Sequence, residues 1–525
     1  MSFPPWALGA YAGLALFFAA AWIFGREQRI KAFASNALII VLTFFVAHFL
    51  ITGFSQQKIG RTNAAVAVEA GEMQMRLVAC FDSVRRHGFK AKDSKETPAE
   101  RGDMEKKQRK EAFDINEKSL EEAVSANPKN FEFPAKLIIL LGANRTPEHI
   151  ARMRQLDQHL AELKGTPGDN DHQLAKVLSH LYIKQEVAKD EISDFRKLLT
   201  AEIPSGWYQD QAVERLLELQ ADKEALQKFR DDVDTHNIVM FMKFCLLVGV
   251  VVIAGLVGLV NLFIQIGMTA AKPAPKPDEV ALRVPLKSLY AVFISWFSIQ
   301  IMVSTAGHLI LADHPEIQQQ PNMVALMTLV TYLISNLPGP ILIYFVALKP
   351  NGVAPRELFD ALHIRFRTST AGPAKLIFMG WLAWCTTIPI VLVSAFAASK
   401  LLHTQSSDNP VISQIIQIAN ATEPLAVAMF YFTLGVMAPF FEEILFRGFM
   451  FAALKPRIGA PLAIVLSAAT FAGMHFDKGG ALMLFAIGFV LAFTFNRTRS
   501  LIPSMIAHGL WNAGTFTLVL TLFGT

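Results

Sequence analysis

Long apolar runs, interrupted by one charge-rich block over residues 55–235, set the limits on what this chain can fold into. A helix that crosses a bilayer needs ~20 predominantly apolar residues. Runs meeting that condition fall at about ten places: 4–24, 33–54, 237–266, 288–311, 322–347, 374–398, 424–454, 459–475, 480–496 and 500–522. Across all 525 residues, 52% are hydrophobic and only 18% charged, where soluble domains carry about a quarter. The fold class expected is therefore all-α, a polytopic α-helical membrane protein of about ten spans with an inserted helical soluble domain. The seventh run is long enough to require tilt or a bend, and Pro439 is its natural hinge.

The block at 55–235 shows apolar residues at three- and four-residue spacing, so it reads as helical. Within it, Leu120–Pro128 and Gly206–Val213 faintly resemble tetratricopeptide-type hairpins, and the charged run 91–112 reads as a loop. The chain divides into two N-terminal transmembrane helices (1–54), the helical domain (55–235), a third transmembrane helix with a Pro-rich linker (236–285) and a C-terminal membrane domain (286–525). A further basic stretch at 353–370 alternates Leu358, Phe359, Leu362 and Ile364 with Arg356, Arg365 and Arg367, as a helix lying on a membrane surface would.

Every second short loop is basic: Arg26, Arg29 and Lys31; then Lys272 to Lys287; then Arg356, Arg365 and Arg367; then Lys455 and Arg457; then Arg497 and Arg499. The positive-inside rule puts those loops in the cytoplasm and makes residues 55–235 extracytoplasmic. The net charge of +5 follows from this topology and does not call for nucleic acid. No Lys or Arg precedes the first apolar run, so it reads as a retained helix rather than a signal peptide. Of three cysteines only Cys80 lies in the soluble block, which excludes a disulfide within it.

Ionisable groups inside a span cost about 2.5–3.5 kcal/mol each on insertion scales and are functional candidates by default. Three elements stand out. In Phe440-Phe-Glu-Glu-Ile-Leu-Phe-Arg-Gly448, Glu443 and Arg447 are four apart and can pair on one helix face. Glu442, rotated by about 100°, lacks that partner. A carboxylate without a partner at low dielectric suits proton transfer. His475 closes the eighth run, and His508 and Asn512 share a face of the last one. Taken singly, each has a bland reading as a salt-bridged face, a helix-end histidine or an interhelical hydrogen bond. Counted from the basic loops, Glu442, His508 and Asn512 lie ~14–20 Å deep and His475 ~27 Å, so adjacent helices can bring them together.

In this order on successive apolar runs, Glu-Glu-x-x-x-Arg, Phe-x-x-x-His and His-x-x-x-Asn resemble the CPBP family of intramembrane proteases. That family includes the type II CAAX prenyl endopeptidases and bacteriocin-processing, Abi-like proteins. Asn496-Arg-Thr-Arg-Ser-Leu-Ile-Pro503 also looks like the family's connection. The resemblance covers roughly 425–520 and makes 286–525 a CPBP-type protease domain. It implies hydrolysis of peptide bonds in membrane-embedded or lipidated polypeptides. Glu442 would activate water, His475 hold it, and His508 with Asn512 stabilise the oxyanion, while Glu443 and Arg447 support the site. The resemblance permits a zinc site of Glu442, His475 and His508 as well as a glutamate mechanism without metal. Asn512 favours the second, being a poor zinc ligand and a good oxyanion donor.

By this reading the partners are a polypeptide substrate, the bilayer and a protein bound through 55–235. The setting is a bacterial plasma membrane. The competing reading is a non-catalytic scaffold or immunity-type protein that retains the motifs. A transporter would show internal inverted repeats, and the sequence has none.

Overall fold

A computed structural model describes residues 5–24, 27–56, 64–87, 98–163, 170–271, 281–314, 317, 320–402, 411–420, 423–477 and 479–523; at the ends of some helices, and at 308 and 312, it describes the backbone alone. Among the described residues the regular structure is entirely helical, as a chain patterned at three- and four-residue spacing should be. Eight stretches are long and apolar enough to cross a membrane: Gln28–Phe49, Lys223–Met268, Leu286–Leu311, Pro321–Asn351, Pro373–Lys400, Pro424–Met474, Ala481–Thr498 and Leu501–Leu522. Ala10–Ile23 is a shorter apolar helix. The seventh and eighth expected spans are contained in the single stretch Pro424–Met474, which is broken at Gly459 (φ +77°, ψ 162°). Side chains such as Leu246, Ile253, Leu256 and Phe263 point outward and exposed. An apolar exterior of this kind is stable only against lipid, and this is an integral membrane protein.

The chain forms two compact units: residues 1–61, 251–409 and 423–516, and residues 62–250, 410–422 and 517–525. The first, the membrane unit, has an aromatic core in which Phe446, Phe449, Phe451, Phe471 and Phe495 are buried with Val292, Trp296 and Ile343. Phe446 meets Phe471 edge-on at 5.4 Å between centroids, a geometry that aromatic quadrupoles favour. Residues 353–370 depart from the expected surface helix. Only Leu358–Ala361 is α-helical, and the chain turns at His363 (φ +60°). Leu501 N–H donates to the His363 carbonyl at 2.9 Å and Ser500 Oγ to that of Arg365 at 2.6 Å. Those carbonyls are thereby committed to another element, and a helix cannot continue through them.

The second unit carries a helical core of Leu120, Leu137, Ile138, Leu140, Leu141, Leu156 and Leu178. Its helices include Ala64–Arg86, Pro98–Ala126, Glu132–Ala143, Pro147–Glu162, Ile192–Glu202 and Trp207–Gln220. The expected loop at 91–112 is overturned from residue 98 onward, because Pro98–Ala126 is one helix; residues 91–97 lie outside the described residues. Its low hydrophobicity conceals strong helix formers (Glu, Lys, Arg, Ala), and its later turns bury Phe113, Asn116, Leu120 and Ala123 on one face. Charge is buried here too. The Lys136 ammonium, 5% exposed, lies 3.2 Å from Glu72 and 2.9 Å from Glu132, and Arg76 pairs with Glu72 at 2.8 Å. Cys80 is buried, and burial pushes its thiol up to about 12, which leaves it unreactive. All three cysteines are free.

Candidate active site

Pro424–Met474 does not run as a plain α-helix through the expected site. Thr433–Met437 and Ile444–Phe451 are π-helical, and they flank the short α-helix Ala438–Glu443. Pro439 has no N–H to return to the Gly435 carbonyl four residues back, and the wider turn accommodates that loss. The last helix, Leu501–Phe523, packs onto these irregular turns. Asn512 Nδ2 donates to the Leu434 carbonyl at 2.9 Å. A Cβ on Gly509 would lie 2.4 Å from the Gly435 oxygen, so only glycine permits this approach. The hinge expected at Pro439 is therefore a docking place for the last helix, and it brings His508, the residue before Gly509, against the glutamates.

There Glu443 and Arg447, both fully buried, form the expected ion pair at 2.7 Å. Arg447 also donates to the Gly488 carbonyl at 3.2 Å and stacks its guanidinium 4.6 Å from the centre of the Phe471 ring. Glu443 Oε1 has a second partner that the sequence reading did not provide, His508 Nδ1 at 3.0 Å. A carboxylate only accepts, so Nδ1 carries the proton and donates it. His508 Nε2 then faces Glu442 Oε2 at 3.8 Å. Glu442 Oε1 accepts from the Tyr332 hydroxyl at 3.1 Å, whereas its Oε2 is buried and has no hydrogen-bond partner among the described residues.

His475 follows the helix Ala452–Met474 and donates from Nδ1 to the Phe471 carbonyl at 2.8 Å, which leaves Nε2 as the acceptor of the neutral ring. The Phe471 ring stands 4.7 Å from the His475 ring and 5.6 Å from the His508 ring, centre to centre. Glu442, Glu443, Arg447 and His508 thus form one directly contacting group. His475 joins it across Phe471, and Asn512 stands one turn beyond His508 with one amide N–H committed to backbone.

Among the described residues no group of three or more His, Cys, Asp or Glu side chains is placed to hold a metal ion. Glu442, His475 and His508 therefore do not supply the three convergent ligands of a catalytic zinc site. Tyr332 is the member of the site that sequence reasoning missed. A hydroxyl in the middle of an apolar span, one turn before Asn336, was the available signal. Asn336 Nδ2, two residues before Pro338, donates to the Tyr332 carbonyl at 3.0 Å.

Residues 424–514 match the profile of the family described as type II CAAX prenyl endopeptidase Rce1-like. A Bacillus subtilis (strain 168) protein named "Putative membrane peptidase YdiL" is 31% identical over 97 residues, which is 18% of this chain and 39% of that protein. The chain thus spans about two fifths of the length of the curated relative it matches. No solved structure matches it.

Proposed function

We propose that this integral membrane protein, whose residues 424–514 form an Rce1-like segment of the CPBP family, is an intramembrane endopeptidase that hydrolyses peptide bonds of membrane-embedded or lipidated polypeptides. The family implies protease activity in general; the mechanism here comes from this chain's own side chains. One observation carries it. Glu442 presents a buried oxygen, Oε2, that has no hydrogen-bond partner among the described residues and lies 3.8 Å from His508 Nε2, so a water donating to that oxygen would lie beside the imidazole.

In this reading Glu442 Oε2 takes a proton from that water, and the water oxygen bonds to the scissile carbonyl carbon. His475 helps to hold the water through its Nε2. The carbonyl oxygen becomes an oxyanion, for which His508 in its imidazolium form and the second amide N–H of Asn512 are the donors. Glu443 orients His508 through Nδ1 and offsets the charge of that imidazolium, as the aspartate does in a Ser-His-Asp triad, while Arg447 pairs with Glu443. The proton held by Glu442 then passes to the leaving nitrogen as the C–N bond breaks.

The alternation of basic loops supports residues 55–235 lying outside the cytoplasm, where the helical unit is available to a protein partner, and the similarity to a Bacillus subtilis protein supports a bacterial plasma membrane as the setting. The test compares peptides released from membranes carrying the intact protein with those carrying Glu442→Gln. Peptides lost only in the variant, at equal expression, are the expected result; an unchanged peptide set removes the mechanism.

A further inference from the structure

Tyr332 lies outside the segment that matches the family, on the helix Pro321–Asn336, and its hydroxyl donates to Glu442 Oε1 at 3.1 Å. A buried phenol must find some acceptor, so the contact alone decides little. The surroundings of Tyr332 add more. Asn336 Nδ2 donates to the Tyr332 carbonyl at 3.0 Å and lies 3.1 Å from Ser335 Oγ, and Gln300 Nε2 on the preceding span donates to Asn336 Oδ1 at 2.8 Å. Asn336 and Ser335 are each 4% exposed. Polar side chains placed at this depth are expensive in a span. Here they converge on the backbone of Tyr332, whose hydroxyl holds Glu442 Oε1 from the neighbouring helix.

We propose that Tyr332 is a positioning residue for the hydrolysis assigned above: by holding Oε1 of Glu442 it leaves Oε2 as the working oxygen and aims it at His508 Nε2. A carboxylate free to rotate would offer either oxygen in many directions, and the hydrogen bond removes that freedom before water binds. The Gln300–Asn336 pair fixes the turn from which Tyr332 reaches. The site is then completed by the fifth span, so residues 424–514 do not hold all that the reaction needs.

This inference rests on Glu442 being the base, and the experiment separates the two. Wild type, Glu442→Gln, Tyr332→Phe and a chain with 3-fluorotyrosine at 332 are reconstituted in vesicles and compared on one released peptide. Tyr332→Phe keeps the ring and should keep the melting temperature, while kcat falls about 10- to 100-fold, the range for one hydrogen bond to a charged group. KM should change by less than about threefold, since the contact acts through Glu442 rather than on substrate. The fluorotyrosine chain, which retains a donor hydroxyl, should retain kcat. The infrared carboxylate band that disappears in Glu442→Gln should be displaced in Tyr332→Phe.

If Glu442→Gln cleaves normally, the underlying reading fails. If Glu442→Gln is inactive while Tyr332→Phe matches wild type in kcat and leaves that band in place, only the role of Tyr332 is overturned. Should Tyr332→Phe fail to fold, Asn336→Ala tests the same support by the same readouts: reduced kcat with a displaced band sustains the proposal, and wild-type values for both overturn it.

Discussion

The helical unit sets Glu69, Glu72 and Glu132 around Lys136 and Arg76, and the membrane unit sets Glu442 and Glu443 around Arg447. In both, carboxylates outnumber the cations beside them, although Glu132 is exposed. What differs is the neighbours of the carboxylate left over. In the helical unit that carboxylate is Glu69, 3.9 Å from Lys136, and burial pushes its carboxyl up to about 7 against the pull of Lys136. In the membrane unit it is Glu442, beside an imidazole and a phenol. An ammonium or a guanidinium keeps its charge near neutral pH; a histidine gives and takes protons there. Burial of charge does not mark a reaction centre by itself; the company of groups that exchange protons does.

The largest effects should come from leaving a buried carboxylate without its cation. Lys136→Met and Arg447→Met each remove the central cation of a network, and each should lower the unfolding stability of the full-length protein in detergent by about 3–5 kcal/mol. Only Arg447→Met should also reduce peptide release by the protein that stays folded, because Arg447 acts through Glu443 on His508. Equal loss of activity in both variants would erase the distinction between the units.

A smaller effect is expected at Gly509. An added Cβ meets the Gly435 backbone oxygen, and overpacking of that kind costs about 1–3 kcal/mol. In thermal unfolding Gly509→Ala should therefore be destabilised, and peptide release should fall because His508 shifts from Glu443. An unaffected variant would mean that the last helix is not held at this turn.

A separate effect is a pH dependence. Glu69 and Asp210 are both pushed up to about 7 by burial, from ordinary values of 4.5 and 3.8. The folded protein therefore binds their protons more tightly than the unfolded chain does. Their stabilising contribution is fully present below the ordinary values and is lost as pH rises through about 7. Glu72 is shifted the other way by Lys136 and Arg76, against the opposing effect of burial, so its contribution is lost only as pH falls below its ordinary range. Stability measured from pH 4.5 to 7 should decline, and Glu69→Gln with Asp210→Asn should flatten that decline. A slope left intact in the double variant would exclude these two groups as its source.

Much of this was legible in the sequence, and the gaps have physical reasons. The spans were visible because apolar length is a one-dimensional property. The Glu443–Arg447 pair was visible because four residues along a helix bring side chains together, and that relation survived the change from α to π turns just after Glu443. His508 was placed near the glutamates but not on Glu443, since which carboxylate it meets depends on the close approach of Gly509 to the Gly435 carbonyl. Tyr332 was missed because its partner lies 110 positions away in the chain, and no local spacing encodes such a contact. The helix at Pro98–Ala126 was missed because low hydrophobicity was weighed above helix propensity.

The central claim, that Glu442 is the base and Glu443 its structural neighbour, is tested most directly by comparing Glu442→Gln with Glu443→Gln in the same vesicles, measuring cleavage rate and melting temperature together. Glu442→Gln should melt as wild type does and lose cleavage by about 10²- to 10⁴-fold. Glu443→Gln should lose stability as well as activity. A folded Glu442→Gln protein that cleaves at the wild-type rate would contradict the account.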